Sequence, residues 1–176
     1  SRLENTDNLR EWEVFNVSSL IQDIVEQYEP LVTEKGFQLS THLHPARIWG
    51  NQQQIRRLIL NLIDNAVKYA PPKTTITLSV EVAGEMATII VHDEGGGIPE
   101  DECGHLFDRF YRISKARDRN SGGSGLGLAI AKEIAVLHSG DITVTSNPQG
   151  GTSFDINLPV TSVLIKTKID FSSVET

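Results

Sequence analysis

The sequence contains a single cysteine and no long apolar run. The lone Cys103 cannot form an internal disulfide framework, and it excludes a zinc site built from cysteine thiolates. No apolar stretch approaches the roughly 18–20 residues that a membrane-spanning helix requires, and no signal-peptide pattern opens the chain. Basic residues are also few, 16 against 23 acidic ones, and the net charge of −7 argues against nucleic-acid binding. We therefore expect no nucleic-acid partner and no direct membrane contact.

The bulk composition is that of an ordinary globular domain. The 176 residues are 39% hydrophobic and 22% charged, which suits one domain with short extensions. Ser1 opens the chain without methionine, in a segment that resembles the end of a helix, so we expect a piece of a longer protein. We predict the end of a helix and a linker over residues 1–13, one domain over residues 14–160 and a C-terminal tail over residues 161–176.

Apolar periodicity and turn residues divide the chain into helices and strands. The predicted helices cover residues 18–36, 51–69, 99–112 and 126–137. The predicted strands cover residues 15–17, 37–43, 47–49, 75–82, 87–91, 142–145 and 153–158. Helices and hairpins that do not alternate regularly predict an α+β fold, a two-layer sandwich with one mixed, mostly antiparallel sheet and helices on one face.

A polar stripe runs along the helix predicted over residues 51–69. Asn61, Asn65, Lys68 and Tyr69 lie at helical spacing on one side of it. Two amides on one face can offer oxygen atoms to a hard cation such as Mg²⁺, and the lysine adds a point charge for phosphate. The alternative is a solvated polar stripe opposite the apolar face.

An acidic residue followed by glycines comes next. Asp93 ends an apolar strand and precedes Gly95, Gly96 and Gly97. A carboxylate in this setting can accept a hydrogen bond from an exocyclic amine, because the glycines let a flat ligand approach. An ordinary glycine-rich turn explains the same residues equally well.

A second glycine cluster leads directly into an apolar helix. Gly122, Gly123, Gly125 and Gly127 bracket the start of that helix at Leu126. Consecutive backbone N–H groups and the positive end of a helix form an anion site. The spacing matches neither the P-loop nor the dinucleotide-binding fingerprint. A flexible linker fits less well, because the loop enters such an apolar helix.

The segment over residues 113–123 has no periodicity and is predicted to be a mobile loop. It carries Lys115, Arg117 and Arg119 and follows the aromatic run at residues 107–112. Such a loop can fold over phosphates and bring a cation to a γ-phosphate. A solvated basic loop is the alternative.

The histidines do not form a convincing metal site. His42 and His44 can share one side of a strand, but no third ligand is apparent. We predict that His105 and His138 lie on helix surfaces.

Residues 15–159 resemble the catalytic and ATP-binding domain of bacterial two-component sensor histidine kinases. That domain belongs to the gyrase–chaperone–kinase–MutL superfamily and has the Bergerat ATP-binding fold. The resemblance rests on five motifs in a fixed order, which are the N box at residues 61–69, the first glycine box at residues 93–98, the F box at residues 107–112, the second glycine box at residues 123–128 and the last glycine box at residues 150–152.

The resemblance implies Mg²⁺-ATP as the ligand and a role for each matched residue. It implies that Asp93 binds the adenine amino group, and that Asn65 holds Mg²⁺ with Asn61 nearby. Tyr69 and Ile98 would line the adenine and ribose pocket. The implied catalytic residues are Asn61, Lys68, Arg117 and Arg119. The implied cofactor-binding residues are Asn65, Tyr69, Asp93, Gly95, Gly97, Ile98, Lys115, Gly123, Gly125, Leu126, Gly127, Leu128 and Thr152, the last supporting Asp93.

The same resemblance implies transfer of the γ-phosphoryl group of ATP to a histidine on a dimerisation domain. In this family the acceptor histidine precedes Glu or Asp and then Pro, and the sequence contains no such segment. We therefore expect two partners, a separate phospho-accepting dimerisation domain and a response regulator. We also expect a cytoplasmic domain whose parent protein can be membrane-anchored.

Three alternatives stay open within the superfamily. A nucleotide-binding regulatory module would keep every motif without catalysis. A serine kinase is a second alternative, although the F box favours the histidine kinases. ATP-hydrolysing members use a glutamate at the first N-box position, where this chain has Asn61.

Overall fold

The computed structural model describes residues 11–113, 125–147 and 150–161. In chain order the elements are β1 (Trp12–Asn16), α1 (Val17–Glu34), β2 (Gln38–Leu43), β3 (Arg47–Asn51), α2 (Gln52–Tyr69), β4 (Thr75–Ala83), β5 (Met86–Asp93), α3 (Glu100–Cys103), α4 (Gly127–Leu137), β6 (Asp141–Asn147) and β7 (Gly151–Pro159). None of the helices in these ranges has both the length and the apolar character of a membrane span.

The main sheet has five strands in the order β2-β4-β5-β7-β6. Strands β2 and β4 are parallel, and the other three pairs are antiparallel. The predicted mixed, mostly antiparallel sheet is therefore confirmed. The prediction of a single sheet is wrong, because β1 and β3 form a separate antiparallel ribbon. Each of these two short strands leads directly into a long helix, β1 into α1 and β3 into α2.

The core lies between the main sheet and the helices. Along β4 and β5 buried residues alternate with partly exposed ones, so each strand turns one face inward. Burying a large apolar side chain contributes about 1.5–3 kcal/mol. The largest fully buried side chains are Phe154, Ile21, Ile24, Ile48, Ile55, Leu58, Ile59, Leu62, Ile63, Ile76, Leu78 and Ile89.

Helix α2 positions the polar stripe. The buried side chain of Asn51 caps it by accepting a hydrogen bond from Gln54 N at 3.1 Å. Such a cap stabilises a helix by about 1 kcal/mol. The helix ends at Tyr69, shortly before two prolines that cannot continue it. One side of α2 enters the core, and the helix also packs against α4.

The end of α4 contradicts one prediction. His138 follows this helix and is only 3% exposed, so its predicted place on a helix surface is wrong. The ring fits because position 50 is glycine, where a Cβ atom would lie 2.6 Å from His138 Cδ2. Trp12 stacks on the same ring, at a centroid distance of 4.5 Å. His105, by contrast, keeps 62% of its side chain exposed, as predicted for a surface position.

The helix predicted over residues 99–112 is much shorter in the structure. Helix α3 stops at Cys103, and Gly104 follows it. Beyond it the backbone turns through short-range hydrogen bonds, such as Asp108 N to His105 O at 2.9 Å. Phe107 instead packs edge-on against the core residue Phe154, with ring centroids 6.3 Å apart. The residues after Cys103 therefore pack against the sheet and do not continue the helix.

Candidate functional site

A cavity of about 230 Å³ is bordered by both α2 and α4. The residues that line it are Asn61, Asp64, Asn65, Lys68, Tyr69, Leu106, Tyr111, Arg112, Ile113, Gly125, Gly127 and Leu128. Seven of the predicted site residues are in this set, and four of them come from the polar stripe of α2. The stripe therefore borders a concave site that also includes the start of α4.

A hydrogen bond joins the polar stripe to α4. Asn61 Nδ2 donates to the backbone oxygen of Gly127 at 3.1 Å. The amide oxygen of Asn61 keeps its acceptor capacity, because only the nitrogen is used in this contact. The first turn of α4 has N–H groups with no partner within the helix, and helix dipoles favour anions at this end. Gly127 and Leu128 bring that helix start to the cavity wall.

Gly125 fixes the approach to α4. Its φ of +72° lies in the left-handed region, and a Cβ atom would come within 2.9 Å of the Phe110 backbone. Phe110 N donates to Gly125 O at 3.0 Å. Phe110 also has a positive φ of 66°, and the residue is 71% exposed. The segment after α3 is thus held directly against the entrance of α4.

Asp93 forms a buried polar centre beside this cavity. It is 6% exposed, and Gly95 N donates to its Oδ1 at 2.8 Å. Burial raises the pKa of Asp93, against the opposing effects of backbone hydrogen bonds from Gly95 and Thr152 and of His92. A buried carboxyl that keeps acceptor capacity suits recognition of a donor group such as an amine.

Two glycines bring the backbone close to Asp93. Gly151 has a φ of +87°, and a Cβ atom there would lie 1.8 Å from Asp93 O. A Cβ atom at Gly95 would lie 2.7 Å from Asp93 Oδ1 and 3.5 Å from Ala70 Cα. The turn after β5 therefore packs against the end of α2, next to Tyr69. This contact places the Asp93 centre beside the cavity lined by the polar stripe.

Some predicted site residues lie elsewhere. Gly97 and Ile98 border a second cavity of about 690 Å³, which Cys103 and Ser146 also line. Leu126 precedes α4 and lines neither of these two cavities. Four further predicted residues lie outside the described ranges, namely Lys115, Arg117, Arg119 and Gly123.

Three polar residues of the main cavity were missed as individual site residues, namely Asp64, Tyr111 and Arg112. A signal for Asp64 was present, because it lies three positions after Asn61 and therefore near it on the helix. A signal for Arg112 was also present. It ends the aromatic run at residues 107–112, directly before the basic segment that was predicted to bring a cation to the phosphates. Ser146 had no such signal, since an isolated serine near a strand end is common.

The donor atoms around the α2 stripe suit a hard cation. Asn61, Asp64 and Asn65 offer amide and carboxylate oxygens on one side of the helix, which are the ligands that Mg²⁺ prefers. Within the described part of the chain no three His, Cys, Asp or Glu residues cluster as a metal site. A cation held here would therefore depend on amide oxygens and on the bound ligand itself.

Comparisons with known proteins agree with this geometry. The sensor histidine kinase RppB of Synechocystis sp. is 39% identical over 167 residues, covering 94% of this chain and 37% of RppB. The solved mycobacterial sensor histidine kinase MprB has a TM-score of 0.76 and 28% identity, covering 84% of this chain and 98% of that one. Histidine kinase ThkA, solved in complex with response regulator protein TrrA, shares the fold with a TM-score of 0.71 and 22% identity, covering 85% of this chain and 42% of that one.

The matching family covers most of the domain. The chain spans little more than a third of the length of RppB, so the comparison describes one part of such a protein. Residues 50–162 match the family described as histidine kinase-, DNA gyrase B- and HSP90-like ATPases. That range begins at the entrance of α2 and ends after β7, and it includes both the polar stripe and the Asp93 centre. The chain belongs to the histidine kinase-, DNA gyrase B- and HSP90-like ATPase family.

Proposed function

We propose that this chain is the ATP-binding catalytic domain of a sensor histidine kinase in two-component signalling. In this proposal it transfers the γ-phosphoryl group of ATP to a histidine on a separate dimerisation domain. One observation carries the proposal: the polar stripe of α2 and the start of α4 border one cavity, and the buried Asp93 lies beside it. A base, a phosphate chain and a cation need these three features together.

In this proposal each part of the site binds one part of ATP. Asp93 accepts a hydrogen bond from the adenine amine, while Tyr69 and Ile98 flank the base and ribose. The start of α4, from Leu126 to Leu128, offers backbone N–H groups to the phosphates. Lys68 lines the same cavity and supplies positive charge. Lys115, Arg117, Arg119 and Gly123 belong to the same proposal and lie outside the described residues.

Magnesium fits the oxygen donors of α2. Asn65, with Asn61 and Asp64 on the same side of the helix, would hold it. When bound, Mg²⁺ neutralises charge on the phosphates as the phosphoryl group leaves. The protein's own contribution is to position the nucleotide, because little covalent chemistry falls to the protein in phosphoryl transfer. The attacking nitrogen of the acceptor imidazole bonds to the γ-phosphorus as the bond to the β-phosphate oxygen breaks and ADP leaves.

Transfer to a protein acceptor suits this site better than hydrolysis does. Water must lose a proton during attack and needs a general base, whereas a neutral imidazole nitrogen has a free lone pair. At the first N-box position the chain has Asn61, whose amide cannot act as that base and whose nitrogen donates to Gly127 O. This observation favours a kinase over an ATPase of the same family.

The proposed partners follow from the chemistry. A phosphohistidine must pass its phosphoryl group on, and a response regulator is the proposed recipient. The histidine kinase ThkA was solved with such a regulator, TrrA, which supports the same partner class for this chain. We place the reaction in the cytoplasm, where ATP is available, and leave membrane anchoring to other parts of the parent protein.

Nucleotide binding is tested by calorimetric titration with ADP. We expect Asp93→Asn to weaken binding about 10- to 150-fold, which corresponds to the roughly 1.5–3 kcal/mol of a hydrogen bond to a charged group. Asp155→Asn is the matched control, because Asp155 is another carboxyl of the main sheet whose pKa is raised, first by burial and then by Glu81. Equal ADP affinity of the Asp93 variant and the unaltered chain would remove Asp93 from the site.

Phosphoryl transfer is tested with γ-labelled ATP. The chain alone should acquire no acid-labile label, and it should label a dimeric helical domain that carries an acceptor histidine when one is supplied. Heat-denatured chain serves as the control for label that the acceptor takes up unaided. Strong acid-labile labelling of His92 or another histidine of this chain would contradict the proposal.

A further inference from the structure

Three polar side chains form a row across the end of the main sheet. Asp93 pairs with Thr152 in the ladder between β5 and β7, and Thr152 pairs with Ser146 in the ladder between β6 and β7. Directly paired residues of antiparallel strands point to the same side of a sheet. Asp93 and Thr152 are 6% and 4% exposed, and Ser146 is half-buried. The row therefore lies on the inner side of the sheet, at the centre that the proposed function assigns to adenine.

Ser146 joins two segments that are distant in sequence. The backbone N–H of Ile98 donates to Ser146 Oγ, and Ser146 Oγ lies 3.3 Å from Thr152 Oγ1. A peptide N–H can only donate, so Ser146 acts as the acceptor towards Ile98, and its own hydrogen remains available for a bond to Thr152. Thr152 continues the series, because it is the direct partner of Asp93 in the ladder between β5 and β7. The hydroxyl of Ser146 thus connects the turn after Asp93 with the strand beside it.

We propose that Ser146 is a positioning residue that orients the Thr152 hydroxyl and thereby helps the site to prefer adenine over 6-oxopurines. This inference rests on the proposed function. When Ser146 donates to Thr152 Oγ1, the hydrogen of Thr152 is left to point towards the ligand. The site then presents a donor beside the acceptor Asp93. Adenine offers the complementary pair, a 6-amino donor and an N1 acceptor, whereas hypoxanthine offers an O6 acceptor and an N1–H donor.

Removal of the Ser146 hydroxyl should therefore change selectivity and not only affinity. In Ser146→Ala the Thr152 hydroxyl loses its fixed partner and can rotate to accept from an N1–H group. We expect ADP binding to weaken about fivefold to tenfold, in line with the loss of one hydrogen bond, while IDP binding changes less than about twofold. Ser146→Thr keeps the hydroxyl and should restore the ADP preference.

The experiment measures the affinities of ADP and IDP by competition titration on the 176-residue chain. Thr145→Ala is the matched control, because Thr145 is the exposed neighbour of Ser146 on the same strand. Thr152→Val should remove the effect, so Ser146→Ala added to it should change the ADP-to-IDP ratio no further. Thermal unfolding of each variant checks folding, and the Ser146→Thr comparison keeps the test valid if the alanine variant unfolds.

The outcomes separate the two proposals. A lower ADP-to-IDP preference in Ser146→Ala, restored in Ser146→Thr, supports the inference. An equal loss for both nucleotides, or no loss, overturns the positioning role while the unaltered chain still binds ADP. Failure of the unaltered chain to bind ADP overturns both this inference and the proposed function.

Discussion

His138 is expected to be a principal stabilising residue of the region where α2, α4 and β1 meet. Its Nε2 accepts a hydrogen bond from Asn51 N at 3.1 Å, and its Nδ1 lies 2.8 Å from Ile134 O. Trp12 stacks on the ring with an interplanar angle of 13°. Because Asn51 N must donate, the ring fits as the neutral form with its proton on Nδ1. Replacement of His138 by alanine removes all three contacts.

The size of the expected loss in stability follows from these contacts. A buried Asn51 N–H without an acceptor costs about 1–3 kcal/mol. Loss of the stacked ring removes a further ~0.5–1.5 kcal/mol. We therefore expect His138→Ala to lower the free energy of unfolding by about 2–4 kcal/mol, a large part of the roughly 5–15 kcal/mol typical of a domain.

The same contacts set the direction of the pH dependence. Burial lowers the pKa of His138 from its ordinary value of 6.5, and the hydrogen bond to Ile134 O opposes this only partly. The unfolded chain therefore binds this proton at a higher pH than the folded chain does. The stabilising contribution is complete above the unfolded pKa of about 6.5 and is lost as the pH falls below it.

The assay is urea unfolding followed by tryptophan fluorescence between about pH 5 and pH 8. His105→Ala is the matched control, because that histidine is exposed and pairs with Asp108 on the surface. A change within about 0.5 kcal/mol is expected for this surface variant. A loss below about 1 kcal/mol in His138→Ala, or an unchanged pH slope in that variant, would show that the ring does not have this role.

Two further changes test the site. Gly151→Ala should destabilise the chain and abolish measurable ADP binding in calorimetry, because its Cβ atom would lie 1.8 Å from Asp93 O. Gly84→Ala is its control, since Gly84 also has a positive φ but no atom lies within 4 Å of a Cβ there; equal losses in both variants would mean that backbone strain alone is responsible. Asn65→Ala should weaken ADP binding more with Mg²⁺ than without it, and an equal loss in both titrations would argue against a metal role.

Much of the fold and of the candidate site could be predicted from local sequence patterns. Asn51 marks the start of α2 because its side chain caps the helix, and such caps are visible in sequence. The apolar face of α2 and its polar stripe follow from helical spacing, as does the cavity-lining position of Asn65. These features depend on neighbours within a few turns, which is the range over which periodicity is informative.

Features that depend on contacts between residues distant in sequence could not be predicted from such local patterns. The burial of His138 depends on the space left by Gly50 and on the ring of Trp12, and neither is near it in sequence. Helix α3 ends early because Phe107 packs on Phe154. Apart from Gly104, the local sequence has no strong signal for a helix end there. The row formed by Ser146, Thr152 and Asp93 exists only through strand register.

The contact between Gly50 and His138 constrains how this sequence can diverge. Any side chain at position 50 would meet the imidazole, so the two positions are not free to vary independently. An alanine at position 50 is tolerated only after position 138 has become smaller, which fixes the order of the two changes. Chains that carry a larger residue at position 50 should therefore have lost the ring at position 138, and they should provide an acceptor for the N–H of residue 51 and cover Trp12 in another way.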